Sequence, residues 1–236
     1  MMLNYDGISI TEATAIQNEM RKDIILESNL TNIKTIAGAD ISHNKNTTTV
    51  YAGIVVLQFP EMVVQSYSLV AAETTVPYIS GYLGFRETPA LLKAWEQLPQ
   101  KPDVVVLDGQ GITHPRRMGI ASHFGLLANC ATIGCAKNML FGKYPNLNLQ
   151  KGSNSPIYIN NDVAGYALRT KDSVKPVFIS PGHKVSVADS LTVISQCIAK
   201  HRIPEPTRMA HEKVNLFRTG KLNTGFHKAD VQGSLF

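Results

Sequence analysis

"VVVLDGQGITHPRRMGIASHFG", Val104 to Gly125, is the stretch whose reading decides the fold. Three valines and a leucine form a short strand apolar on both faces, the pattern of a strand covered from both sides of a sheet. The strand closes on Asp108 and gives way to Gly109, Gly111, His114 and the pair Arg116-Arg117 before a helical run through "MGIASHFGLLANC". A buried carboxylate costs several kcal/mol unless it is paired, hydrogen-bonded or bound to a metal.

The same oddity occurs upstream. "TIAGADIS" reads as a strand from Ile36 to Ile41 with Asp40 inside it. An aspartate so placed either accepts hydrogen bonds from its own loop or holds a cation, and one strand alone does not decide between them.

The neighbouring segments supply the topology. Thr11 is placed to cap a first helix with Ile16, Met20 and Ile24 along one side. "TVYAGIVVLQF" and "MVVQSYSLVAA" are two strands joined at Pro60-Glu61, a hairpin, so three antiparallel strands open the sheet. "ETPALLKAWEQL" follows as a helix with Thr88 as N-cap, Pro89 at the first helical position, and Leu91, Leu92, Trp95 and Leu98 facing inwards. Glu87 then sits just before that helix, near the positive end of its dipole, where it is either a dipole partner or part of a site. "ATIGCAK", "VAGYALRT" and "KPVFIS" read as further strands, and "SVADSLTVISQCIA" as a helix with a capping box from Ser186 to Asp189. No repeat or linker divides residues 1–212, a single domain; residues 213–236 turn polar and lose periodicity, a partly mobile tail.

Composition sets outer limits. The chain has 236 residues, 44% hydrophobic and 17% charged, enough to bury a real core. No apolar run approaches the roughly 18 residues of a membrane span. The start lacks the basic-then-apolar order of a secretory signal, so no membrane and a cytoplasmic location are expected. Cys130, Cys135 and Cys197 form no CxxC pair and suggest neither a disulfide framework nor zinc. A net charge of +5 suits a polyanionic partner without identifying one.

Three antiparallel strands, a helix and a fourth strand resemble the ribonuclease H-like α/β fold, a central mixed sheet of five or more strands flanked by helices. That resemblance puts the first and fourth strands side by side, so that Asp40 and Asp108 face each other. Two adjacent carboxylates repel unless a divalent cation lies between them, and hard oxygen ligands suit Mg²⁺ or Mn²⁺.

Six segments, in order, carry a closer resemblance: "AGADIS", "PYISGYLGFRE", "LDGQGITHPRRMGIASHFG", "TIGCAK", "KPVFISPGHKVS" and "HRIPEPTRMAH". They resemble the endonuclease V family, deoxyinosine-specific nucleases of DNA repair, over most of Ile36 to His211. The resemblance implies a Mg²⁺-dependent enzyme, with Mn²⁺ able to substitute. It would nick the second phosphodiester bond 3′ to a deaminated adenine, leaving 3′-hydroxyl and 5′-phosphate ends. By the same resemblance Asp40 and Asp108 hold the metal, Glu87 completes the acidic site, Lys137 stabilises charge on the phosphate, and His211 lies near the metal. Lys137 as a strand-end cap and His211 as a surface residue are the plainer alternatives.

In the family the segment matching "PYIS" is a wedge that enters the duplex. Tyr78 would stack there between Pro77 and Ile79; family members commonly carry a second proline where this chain has Ser80. Main chain around Gly81, Leu83, Gly109 and Ile120 would form the base pocket, with N–H groups aimed at O6 of hypoxanthine. Adenine, with its donor and acceptor exchanged, would leave buried groups unpaired. Gly81 and Gly109 suit close approach of a base, although a turn explains such glycines equally. His114, Arg116 and Arg117 are expected to grip phosphates, and Lys184, beside His183 at a helix start, is a further phosphate candidate. The expected partner is inosine-containing DNA, with single strands or RNA as alternatives. "QGSLF", Gln232–Phe236, resembles the short peptides by which bacterial repair enzymes dock on the sliding clamp.

Overall fold

Asp40 sits within the strand around which the molecule is assembled. In the computed structural model, which describes residues 4–45 and 47–229, that strand is β1, Thr35–His43. It pairs antiparallel with β2 (Thr49–Gln58), which pairs antiparallel with β3 (Val64–Glu73), so the three-stranded opening and its hairpin stand as expected. On its other edge β1 pairs parallel with β4, Val104–Leu107, and β4 pairs parallel with β5, Thr132–Ala136. Next come β8 (Val177–His183), β7 (Asp162–Leu168) and β6 (Asn154–Ile159), all antiparallel. With β9, Gly225–Lys228, added beside β3, the described residues form one mixed sheet in the order β6-β7-β8-β5-β4-β1-β2-β3-β9. Its central part has the ribonuclease H-like arrangement.

Helices cover both faces. α2 (Leu83–Glu96) and α3 (Ile120–Ala128) lie over Ala37, Ala39, Val105 and Leu107. α4 (Val187–Gln196) and α5 (Glu205–Arg218) lie over Ile36, Val104, Val106, Ile133 and Cys135. The alternation along β1 and β4 therefore assigns each side chain to a face. On the α5 side the approach is very close at Gly38, where a Cβ would lie 1.8 Å from the Pro206 carbonyl oxygen. Any larger residue would push α5 off the sheet.

Three boundaries differ from expectation. α1 runs Ile10–Met20 with Ser9, not Thr11, as N-cap, and its buried residues are Ala13 and Gln17 rather than the apolar stripe. α2 begins at Leu83, which puts Thr88 and Pro89 inside it; Glu87 is a second-turn residue and not a dipole partner at the start. The expected break after residue 212 falls inside α5. β9 then pairs with β3, and the Ala229 N–H reaches the Gln65 carbonyl, so the polar segment is part of the sheet at least that far. Gln232–Phe236 lies outside the described residues. No helix among the described residues is long and apolar enough to cross a membrane.

Candidate active site

The strand register brings the two aspartates together. Ala39 pairs with Leu107 in the parallel β1–β4 ladder, and the ladder extends one step further, with the Asp108 N–H donating to the Ala39 carbonyl at 3.3 Å. Asp40 and Asp108 are thus neighbours across two strands. Each shares the parity of residues on the α5 face: Gly38 before Asp40, Val106 before Asp108. Lys137, just past β5, shares the parity of Ile133 and Cys135 on that face. Three adjacent strands therefore end in Asp40, Asp108 and Lys137.

α5 supplies a fourth group. Because Gly38 lets α5 down onto β1, His211 reaches Asp40, with Nδ1 at 2.8 Å from Oδ2. The Asn215 amide meets its Nε2 at 2.9 Å. The hydrogen bond to Asp40 raises the His211 pKa. The Lys137 ammonium donates to Asp108 Oδ2. Burial pushes the Asp108 carboxyl up, and the Lys137 charge opposes that rise without cancelling it.

Glu87 comes from the other side of the sheet, where β4 stops and leaves the end of β1 open. It lines one cavity of about 220 Å³ with Asp40, Asp108, His43 and Tyr78. Burial pushes its carboxyl up to about 8, the Asp40 charge adds to this, and Arg86 opposes it.

The arrangement of the carboxylates bears on the expected metal. Among the described residues, no three His, Cys, Asp or Glu side chains are close enough to form a ligand cage. Mg²⁺, however, is commonly held by one or two carboxylates, with water and phosphate oxygens filling its other positions. An aspartate pair that lines one cavity with Glu87 fits that mode of binding.

A second cavity of about 280 Å³ adjoins the cleft and shares Tyr78, Leu83, Asp108 and Ile120 with it. All four expected pocket residues, Gly81, Leu83, Gly109 and Ile120, line it. The starts of α2 and α3 meet there, and neither N-cap residue, Tyr82 or Gly119, makes a side-chain capping bond. In these first turns the Phe85 N–H reaches the Tyr82 carbonyl and the Ala121 N–H the Gln110 carbonyl, which leaves the Leu83, Gly84 and Ile120 N–H groups without a backbone acceptor among the described residues. Tyr78 is 65% exposed on the rim between the cavities, flanked by exposed Pro77 and half-buried Ile79.

The expected phosphate grips are placed differently. His114 is buried, its Nδ1 accepts from the Arg116 and Met118 N–H groups, and its Nε2 meets the Gly81 carbonyl at 2.9 Å. Burial pushes its pKa down to about 4, so it is a neutral structural ring whose single N–H is spent on the Gly81 carbonyl. Arg116 is held by Gln17 and Gly81 and lies over the Tyr82 ring. Arg117 is half-buried, 3.5 Å from Asp162. Lys184 does not belong to the site: His183 pairs with Thr132 at the start of β5, the opposite end of the sheet from Asp108. There Lys184 caps α3 through the Asn129 carbonyl and side chain.

Gln17 is the participant that sequence reasoning missed. It is fully buried beside the pocket, and its helix carried only an apolar stripe as a signal.

Comparison with known proteins agrees with this architecture. A family model described as Endonuclease V matches residues 18–212. Endonuclease V of Dictyoglomus thermophilum is 44% identical over 207 residues, covering 88% of this chain and 90% of that protein. The crystal structure of the Streptomyces avermitilis endonuclease V superposes with a TM-score of 0.84 at 36% identity, covering 90% of this chain and 94% of that one. The Ciona intestinalis endonuclease V, solved with a 23mer DNA containing an inosine followed by a ribo-adenosine, gives a TM-score of 0.79 at 30% identity, covering 89% and 97%.

Proposed function

The chain belongs to the Endonuclease V family, and from that premise we propose a Mg²⁺-dependent endonuclease that nicks deoxyinosine-containing DNA at the second phosphodiester bond 3′ to the lesion. The products are 3′-hydroxyl and 5′-phosphate ends, and Mn²⁺ substitutes for Mg²⁺. The observation that carries this reading is the convergence of Asp40 and Asp108 on adjoining strands, next to a pocket opened by two helix starts.

Asp40 and Asp108 would hold the ion, with Glu87 lining the same cavity. When bound, the ion polarises the phosphate and lowers the pKa of water. Lys137, bonded to Asp108 yet 41% exposed along its side chain, places an ammonium where a phosphate oxygen would lie. Its fixed charge stabilises the negative charge that builds up there. His211 keeps the Asp40 carboxylate oriented through its Nδ1 contact.

The base enters the pocket between α2 and α3. Free N–H groups at Leu83, Gly84 and Ile120 suit a carbonyl acceptor, which O6 of hypoxanthine provides and adenine lacks. Tyr78 fills the gap that the extruded base leaves. The relative whose DNA carries a ribo-adenosine after inosine gives reason to include an RNA arm. Gln232–Phe236 is proposed, on its sequence, to dock on the sliding clamp. Clamp binding that persists after deletion of those residues removes that part of the reading.

The deciding test is cleavage of matched inosine and adenine oligonucleotides, DNA and RNA, with and without Mg²⁺. Cleavage of inosine DNA only when the ion is present is expected. Asp40→Asn and Asp108→Asn should each abolish cleavage while still retaining the inosine strand. Full activity in either variant, or in a chelator, refutes the assignment.

A further inference from the structure

Gly81 stands at the edge of the base pocket with φ +84°, in the turn that joins the Tyr78 loop to α2. Its carbonyl oxygen has three donors on it. Gln17 Nε2 lies at 3.0 Å, His114 Nε2 at 2.9 Å and Arg116 Nη2 at 2.9 Å. A carbonyl has two lone pairs, so three donors saturate it and leave nothing for a ligand.

The identity of each donor is fixed by its other contacts. The Gln17 amide nitrogen also faces the Met118 carbonyl at 3.3 Å, while its oxygen accepts from Arg116 Nε, so the amide has one consistent orientation. Two backbone N–H groups point at Nδ1 of His114, which puts the ring proton on Nε2, towards Gly81. The Arg116 guanidinium is stacked 4.3 Å from the Tyr82 ring centroid, and the Tyr82 hydroxyl is held by Thr14 at 2.8 Å. Two separate segments, α1 and the loop after β4, thus converge on one oxygen beside the start of α2.

We propose that Gln17, His114 and Arg116 form a clamp that withdraws the Gly81 carbonyl as an acceptor, and are positioning residues for discrimination between hypoxanthine and adenine. The inference rests on the base-pocket reading given above. Apart from the clamp, this peptide is held by the Tyr82 N–H on the Ile79 carbonyl at 3.0 Å. At a glycine no Cβ opposes the peptide's turning over, so loss of the clamp lets its carbonyl swing towards the pocket. A carbonyl there would accept from the 6-amino group of adenine and repel O6 of hypoxanthine. With the clamp closed, the Leu83 and Gly84 N–H groups meet O6 with no Gly81 carbonyl competing beside them.

Gln17→Glu is the sharpest test. It keeps the shape and the acceptor for Arg116, and it replaces the donor to Gly81 with a carboxylate oxygen that repels it. kcat/KM is measured for otherwise identical inosine and adenine oligonucleotides, with thermal unfolding in parallel. The inosine-to-adenine ratio is expected to fall by about tenfold, the equivalent of one hydrogen bond, through a higher KM for inosine and faster cutting of adenine. A merely structural loss would slow both substrates alike and leave the ratio where it was, and that outcome overturns the clamp. If Gln17→Glu does not fold, Arg116→Met removes a different donor and carries the same expectation. Wild-type protein that cuts inosine and adenine strands equally removes the premise and the clamp together. Discrimination that is intact in both wild type and variant overturns the clamp alone.

Discussion

Two buried neutral histidines make the folded state sensitive to acid. His123 is fully buried between Tyr5 and Phe85, with the Tyr5 hydroxyl 3.0 Å from Nε2 and no partner on Nδ1. Burial pushes its pKa down to about 3, and that of His114 down to about 4. An unfolded histidine titrates near 6.5, so both contributions are complete above that pH. They are lost as pH falls from about 6.5 towards the folded values, because only the unfolded chain takes up the proton. At pH 5 the gap to the unfolded pKa is about 1.5 units, or about 2 kcal/mol per ring, whatever the folded value below 5. The pair should therefore cost about 4 kcal/mol between pH 8 and pH 5, a large part of a typical domain's stability. Urea unfolding at the two pH values measures this in wild type, His123→Phe and His114→Gln. Each variant should shrink the pH-dependent change by about 2 kcal/mol, irrespective of what the substitution costs at pH 8. A variant with the same pH dependence as wild type would refute the reasoning for that ring.

Other expectations concern the site. Tyr78→Ala should slow cleavage of an inosine duplex by about tenfold or more, from lost stacking, and change single-strand cleavage little; equal losses on both would remove the wedge. Lys184→Ala should leave cleavage rate and the salt dependence of DNA binding unaltered, since the residue caps α3 at the far end of the sheet. A smaller salt slope would return it to the DNA surface. Gly109→Ala would put a Cβ 2.5 Å from Ile120 Cγ2 in the pocket wall. The expected result is a KM for inosine DNA raised by about tenfold with little change in kcat. An unchanged KM would show that the base does not approach there.

The site was legible where chemistry and strand period coincide. Asp40 and Asp108 were readable because a carboxylate closing an apolar strand needs a reason, and the order of elements placed those strands side by side. Glu87 was found for a wrong local reason. The Thr88-Pro89 pair looks like a helix start, yet α2 begins at Leu83 and carries Pro89 in its interior. Tertiary packing against α3 overrode a start signal worth about 1 kcal/mol. β6 was missed although Asn160 in the turn, with φ +56°, and the buried alternation of Ser155, Ile157 and Ile159 mark a hairpin. Pro156 within the run is tolerated because β6 is an edge strand of the sheet. Gln17 could not be found at all, because its role lies in contacts more than sixty residues away in sequence.

The basic residues show a more general limit. Arg86 donates to the Val76 carbonyl, Lys101 to the carbonyls of Trp95 and Leu98, and Arg169 to those of Asn148, Val174 and Leu147. Arg202 binds the carbonyls of Lys175, Lys137 and Pro176, while Arg116 and Lys184 are committed as described. These cations still contribute to a positive field that draws a polyanion in, but their donors are already spent on backbone oxygens. A net charge of +5 therefore overstates the direct phosphate contacts within reach. Arg202 illustrates the alternative use, since its bond to the Lys137 carbonyl braces the residue whose ammonium stands on Asp108. Arg116 and Arg202 thus use their charge to fix backbone beside the ends of β4 and β5, through the Gly81 and Lys137 carbonyls.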